Sequence, residues 1–146
     1  MRDLFTEVSW NYEINQCIRP LKPKSLEPDN TYRMQLEDIE LIQEFHKCIE
    51  FFLCQNVCRV MRDQQVRDFA GTSFLIRIAF LAMHPPDILN HLKELKNIFG
   101  ISYCNITKCY TEVCPEHIGI TDNGVIPLKE REAGDFYDDR PEYGEA

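Results

Sequence analysis

Residues 48–58 read CIEFFLCQNVC and carry cysteines at 48, 54 and 58. This first window departs by one residue from C-x2-C-x2-C-x3-C, a cysteine run that holds iron–sulfur clusters. The position that would complete the run is occupied by Phe51. The stretch is therefore either a cluster site that has lost one ligand or a helix that carries thiols by chance.

A second window covers residues 104–117, CNITKCYTEVCPEH, with cysteines at 104, 109 and 114. Pro115 follows the last of them, and a Cys-Pro pair closes the cysteine run of bacterial ferredoxins. Thiolates are soft ligands that suit iron–sulfur clusters and zinc. Cys17 stands apart, and we expect it to be a small buried hydrophobic side chain.

Composition limits the class of protein. The chain has 146 residues, 44% of them hydrophobic, which is enough for one compact domain with its own core. We expect a cytoplasmic protein, because no apolar run approaches the ~20 residues of a transmembrane helix and MRDLFTEV is not a signal peptide. Seven cysteines in that compartment favour metal binding over disulfides. The net charge of −8 without a basic stripe argues against a nucleic-acid partner.

Hydrophobic periodicity predicts an all-α fold. Apolar residues recur at steps of three and four from residue 36 to residue 52, and further helices are expected over about 72–84 and 88–99. Asp87 is the expected cap of the third helix, and Gly100 is its expected stop. Residues 118–132 should form at most a short helix, because Gly124 and Pro127 interrupt them.

Three segments follow from this pattern. Residues 1–35 contain prolines at 20, 23 and 28, so we expect an extended strap that lies against a partner surface. Residues 36–133 form the predicted helical domain. Residues 134–146 form an expected disordered acidic tail, and residues 130–146 hold seven acids and two arginines.

Three stretches carry a resemblance to a known family: EFHKCIEFFLCQNVC, MHPPD and GISYCNITKCYTEVCPEHIGITDNGVIPLKERE. They resemble the iron–sulfur subunit of succinate dehydrogenase or fumarate reductase, in the form found in actinobacteria and some other bacteria. The resemblance covers roughly residues 1–135. In that family an N-terminal ferredoxin-like domain carries a two-iron cluster, and a helical C-terminal domain carries a four-iron and a three-iron cluster. This chain resembles the second domain, which implies an α-helical ferredoxin fold.

The resemblance also implies two ligand sets. Carried over by position, the four-iron-type site has Cys48, Cys54 and Cys114, with Phe51 at a vacated ligand position. The three-iron-type site has Cys58 and Cys104, with Tyr110 at the vacated position and Cys109 beside it as a doubtful substitute. Because each site lacks one thiolate, we expect iron below one full complement per chain, with the three-iron-type site the weaker. We also expect the Phe51 ring to crowd the four-iron-type site.

The function implied by the resemblance is electron transfer between the flavoprotein side and quinone, in an oxidoreductase complex of the tricarboxylic acid cycle. The implied partners are a flavoprotein subunit, a membrane-anchor subunit with quinone, and a separate two-iron domain. The protein would then lie on the inner face of the cell membrane. Two alternatives stay open: a degenerate relative with empty or zinc-filled sites, in which His46 or His117 joins the thiols, and a pure interaction module.

Overall fold

A computed structural model describes residues 8–63 and 68–137. Within these residues the fold is all-helical and has no β-strand, which confirms the predicted fold class. The eight α-helices are α1 Ser9–Asn15, α2 Leu36–His46, α3 Leu53–Asn56, α4 Arg59–Asp63, α5 Thr72–Ala82, α6 Leu92–Asn97, α7 Cys109–Glu112 and α8 Ile126–Tyr137. A 3₁₀ turn covers Ile101–Tyr103 and a π-helical turn covers Ile120–Val125.

Helix α5 is the centre of the domain. Seven of its eleven residues are buried, and α1, α2, α3 and the π turn all pack against it. A helix that is apolar on nearly every side must be covered on every side, which explains this position. Phe74 of α5 stacks on Phe99 with ring centroids 4.3 Å apart, and thereby ties α5 to the segment that follows α6.

The strap differs from the prediction in two respects. Residues 9–15, SWNYEIN, precede the first proline and form α1, which packs on α5. Cys17 follows α1 and is exposed rather than buried, with its thiol donating to the carbonyl of Glu13 at 3.7 Å. The described part of the strap therefore lies on the domain of its own chain.

Residues 22–24 of the strap are held by the loop between α5 and α6. Lys24 donates its backbone N–H to the Pro86 carbonyl at 2.8 Å, and Ile88 donates to the Lys22 carbonyl at 3.1 Å. The Lys22 N–H also donates to a carboxylate oxygen of Asp87 at 3.2 Å. These bonds bridge more than sixty residues of sequence, which periodicity cannot detect.

Asp87 is not the cap of the third helix. Its carboxylate accepts from the Leu89 N–H at 2.9 Å and lies 2.9 Å from His91 Nε2, so it orders the turn before α6. Burial raises the pKa of Asp87, but the hydrogen bonds from Leu89, His91 and Lys22 outweigh burial and hold that pKa below its usual range. The helix itself begins at Leu92, whose N–H is accepted by the Asn90 side chain.

The C-terminal helix is longer than predicted. Gly124 does not interrupt this helix, because it lies in the π turn that precedes α8. A Cβ at this position would contact Ile76 and Phe45. Pro127 lies in the first turn of α8, where a missing N–H is tolerated. The expected acidic tail is helical as far as Tyr137, and residues 138–146 lie outside the described residues.

Candidate iron–sulfur site

The backbone of both cysteine windows is unusual. Five non-glycine residues of the described chain have positive φ, and four of them lie in or beside these windows: Glu50, Phe52, Ile106 and His117. Their φ values of 53–58° fall in the left-handed region, which costs a side-chain-bearing residue roughly 1–2 kcal/mol. Such conformations cluster at ligand-binding sites, where the chain must turn sharply around a group.

Contacts from neighbouring helices hold these turns. The Glu50 carboxylate accepts from Arg77 Nε of α5 at 2.9 Å. On the other side of the site, Glu44 of α2 accepts from the backbone N–H of Gly119 and from the Asn123 side chain, both at 2.5 Å. Glu44 therefore fixes the loop that follows Cys114. Sequence reasoning did not identify Glu44 or Arg77, because their partners lie 27 to 79 residues away.

The structure brings three of the expected ligands together. Cys48 follows the end of α2, Cys54 lies in α3, and Cys114 follows α7. All three line one surface pocket with about 410 Å³ of unfilled space, part of it open to solvent. The remaining lining is mainly apolar, with Ile76, Ile118 and Ile120 on the inner side. Residues of both windows thus line the same pocket, as the four-iron-type ligand set implies.

The electrostatics of this pocket disfavour three deprotonated thiols in the absence of a metal. Burial raises the pKa of Cys54 to about 12, and the nearby Cys48 and Cys114 add to the effect through repulsion between thiolates. A bound cationic metal group reverses this balance, because it stabilises the deprotonated thiols that coordinate it.

Single-ion sites and cluster sites differ in how closely their ligands must approach. Across the described residues, no group of three or more His, Cys, Asp or Glu side chains could hold one metal ion. A tetrahedral zinc, with Zn–S of about 2.3 Å, needs its sulfurs within about 4 Å of one another, whereas the irons of a cluster separate its thiolates further. The expected zinc site with His46 or His117 is not assembled. His46 instead packs edge-on against Phe80, with centroids 4.5 Å apart.

Phe51 lies at the rim of the pocket. Its side chain is 56% exposed, so less of the ring lies inside the pocket than expected. Ile49 and Leu53 are exposed beside it and complete an apolar rim. The vacated position thus leaves the pocket open toward the surface, and the residues present fit a cluster held by three thiolates.

The expected ligands of the three-iron-type site, Cys58 and Cys104, lie next to the buried Tyr110 side chain. Cys58 and Cys104 are buried, and Tyr110 of α7 is buried with them at 1% exposure. The Tyr110 hydroxyl lies 3.6 Å from Cys104 Sγ, within hydrogen-bonding range for sulfur. Burial raises the pKa of Tyr110, and the neighbouring Cys104 and Cys58 raise it further, so the phenol stays neutral. A neutral buried phenol is a poor iron ligand, and this position does not fit a three-iron cluster.

Cys109 does not take the place of the missing thiol. Its Sγ lies 3.3 Å from Thr107 Oγ1 and donates to the Val57 carbonyl at 3.7 Å. The side chain therefore has partners of its own between the two windows. Lys129 of α8 is a further residue that sequence reasoning missed, and its ammonium donates to the Cys104 carbonyl at 2.7 Å.

The chain was compared with protein families, curated proteins and solved structures. The chain is similar to a chain in the solved structure of the Mycobacterium smegmatis Sdh1 complex in the apo form, with 54% identity and a TM-score of 0.87. The match covers 97% of this chain and 60% of that chain, so this sequence spans less than two thirds of its relative. No family model matches the chain, and no curated protein matches it. In the part of the chain that the structure describes, no helix is long and apolar enough to cross a membrane.

Proposed function

We propose that this chain is the helical part of the iron–sulfur subunit of a succinate dehydrogenase complex, and that it carries electrons through one cluster bound at Cys48, Cys54 and Cys114. The observation that carries the proposal is the convergence of these three thiols in one pocket, in a chain 54% identical to a component of an Sdh complex. The four positive-φ residues in or beside the two windows support it, since such conformations cluster at ligand-binding sites.

Each part of the pocket has a separate task. The three thiols hold the cluster, while the apolar inner wall excludes water and lowers the local dielectric, which tunes the reduction potential. Glu44 and Arg77 keep the two loops in place before metal is bound. When bound, a cluster of this type supplies a one-electron redox couple. Electron transfer in this proposal uses this site alone, because the three-iron-type position does not fit a cluster.

The partners follow from the relative. The Sdh1 relative belongs to a complex, and this chain accounts for 60% of the length of the matched chain. We propose that a two-iron domain, a flavoprotein subunit and a membrane-anchor subunit with quinone complete the assembly. The chain then lies at the inner face of the cell membrane through these partners and binds no dicarboxylate itself.

A metal-free interaction module is the second candidate function. The observation that favours it is the buried Tyr110, whose ring lies beside Cys104 at the position that the resemblance assigns to a second cluster. In this case the chain docks on the flavoprotein subunit without carrying electrons.

Iron and acid-labile sulfide per chain, measured after anaerobic purification, distinguish the two candidates. The electron-transfer proposal expects visible absorption and bound iron. Cys54→Ser should lower the iron content and Cys17→Ser should leave it unchanged, because Cys17 is exposed and does not line the pocket. A colourless, iron-free chain that takes up no iron on reconstitution, yet still copurifies with its flavoprotein, would establish the interaction module instead.

A further inference from the structure

The second cluster position is filled by a connected set of side chains. Tyr110 belongs to the second window. Its hydroxyl lies 3.6 Å from Cys104 Sγ, and Cys58 of the first window is near enough to contribute to its raised pKa. All three side chains are at most 3% exposed. Protein interiors are packed at crystal density, so a buried aromatic ring and a cluster cannot share this space.

Contacts beyond the three residues hold Tyr110 in place. Helix α7 packs against α3 of the first window and against the π turn. Thr111, the next residue, lies 2.7 Å from Thr121 Oγ1 and accepts the Thr121 N–H at 3.0 Å. The Lys129 ammonium fixes the Cys104 carbonyl from α8. The segment around Tyr110 is thus bonded on several sides without any metal.

We propose that the three-iron-type position of this chain is a closed, metal-free packing site, in which Tyr110 replaces the cluster and joins the second cysteine window to the first. The inference rests on the proposed function only in calling this position a three-iron-type site. It follows that the chain binds at most one cluster and that Cys58 and Cys104 are core residues rather than ligands. The link that a cluster would make between the two windows is made here by Tyr110 with Cys104 and Cys58.

The test uses the full chain, reconstituted anaerobically with iron and sulfide, then oxidised and measured by electron paramagnetic resonance and iron analysis. The parent is compared with Tyr110→Cys, which restores a third thiol, and with Tyr110→Phe, which keeps the ring and removes only the hydroxyl. We expect Tyr110→Cys alone to bind more iron per chain than the parent and to gain a three-iron signal beyond any that the cluster in the Cys48, Cys54 and Cys114 pocket gives on oxidation. Tyr110→Phe should match the parent, because the ring and not the hydroxyl fills the space.

A second comparison holds even where Tyr110→Cys fails to fold. In the parent background, Cys58→Ser should leave iron per chain unchanged, since Cys58 holds no iron in this account. Iron lost in Cys58→Ser would overturn the inference, and so would equal iron per chain in the parent and a folded Tyr110→Cys. An iron-free parent together with a three-iron signal in Tyr110→Cys sustains the inference and refutes the one-cluster proposal for the pocket, so the two failures are distinguishable.

Discussion

Removing the Tyr110 side chain should strongly destabilise the metal-free chain. The ring is 1% exposed, and truncation of a buried aromatic residue to alanine costs about 3–5 kcal/mol. Tyr110→Phe keeps the ring and loses a hydroxyl whose partner is a sulfur at 3.6 Å. A neutral hydrogen bond contributes about 0.5–1.5 kcal/mol, so the phenylalanine variant should lose no more than this range. The difference between the two variants measures the packing of the ring alone.

The assay is urea unfolding under reducing conditions with a chelator, followed by far-UV circular dichroism. Tyr103→Ala is the matched control, because Tyr103 lies on the neighbouring 3₁₀ turn and is 47% exposed. We expect it to cost less than about 1 kcal/mol. The reasoning is refuted if Tyr110→Ala costs no more than Tyr103→Ala, or if Tyr110→Phe costs as much as Tyr110→Ala.

Three further perturbations test other parts of the account. Gly100→Ala should cost more than about 1 kcal/mol in urea unfolding, because φ is +60° and a Cβ would collide with the Asp68 carbonyl; Gly134→Ala, which meets nothing, should gain about 0.5 kcal/mol. Asp87→Asn should lower the free energy of unfolding at pH 7 and make unfolding less sensitive to acid. The pKa of Asp87 is lower in the folded chain than in the unfolded chain, where it is about 3.9. The carboxylate therefore stabilises the fold fully above the unfolded pKa, and this stabilisation is lost as the pH falls through the lower folded pKa. An acid-unfolding curve identical to that of the parent would contradict this. Phe51→Cys should slow the loss of cluster absorbance to a chelator several-fold, and an unchanged rate would show that position 51 does not face the cluster.

Much of the helical framework could be predicted because it is a local property. The apolar spacing in α2 and α5 predicts helices, and His84-Pro85-Pro86 limits the end of α5, which the structure places at Ala82. Gly100 has positive φ where the stop after α6 was expected. The length of α8 was underestimated. Gly124 lies in the π turn before this helix, and Pro127 lies in its first turn, where a missing N–H is tolerated.

The site could be predicted from the sequence only at residues whose side chains are themselves metal ligands. Cysteine spacing together with a family resemblance named the thiols, and the structure then placed Cys48, Cys54 and Cys114 in one pocket. No local pattern could show that the strap folds back on its own domain, or that Glu44 supports the loop after Cys114, because these contacts depend on tertiary proximity. The depth at which a side chain lies is equally non-local, and it decides the different outcomes at Phe51, which is 56% exposed, and Tyr110, which is 1% exposed.

Anomalous diffraction at the iron edge, from crystals of the anaerobically reconstituted full chain, tests the one-cluster account most directly. We predict one compact group of iron peaks in the pocket formed by Cys48, Cys54 and Cys114, and an ordered Tyr110 ring without iron beside Cys58 and Cys104. Iron at the Tyr110 position, or no iron in the pocket of a chain that has been supplied with iron and sulfide, would contradict the account.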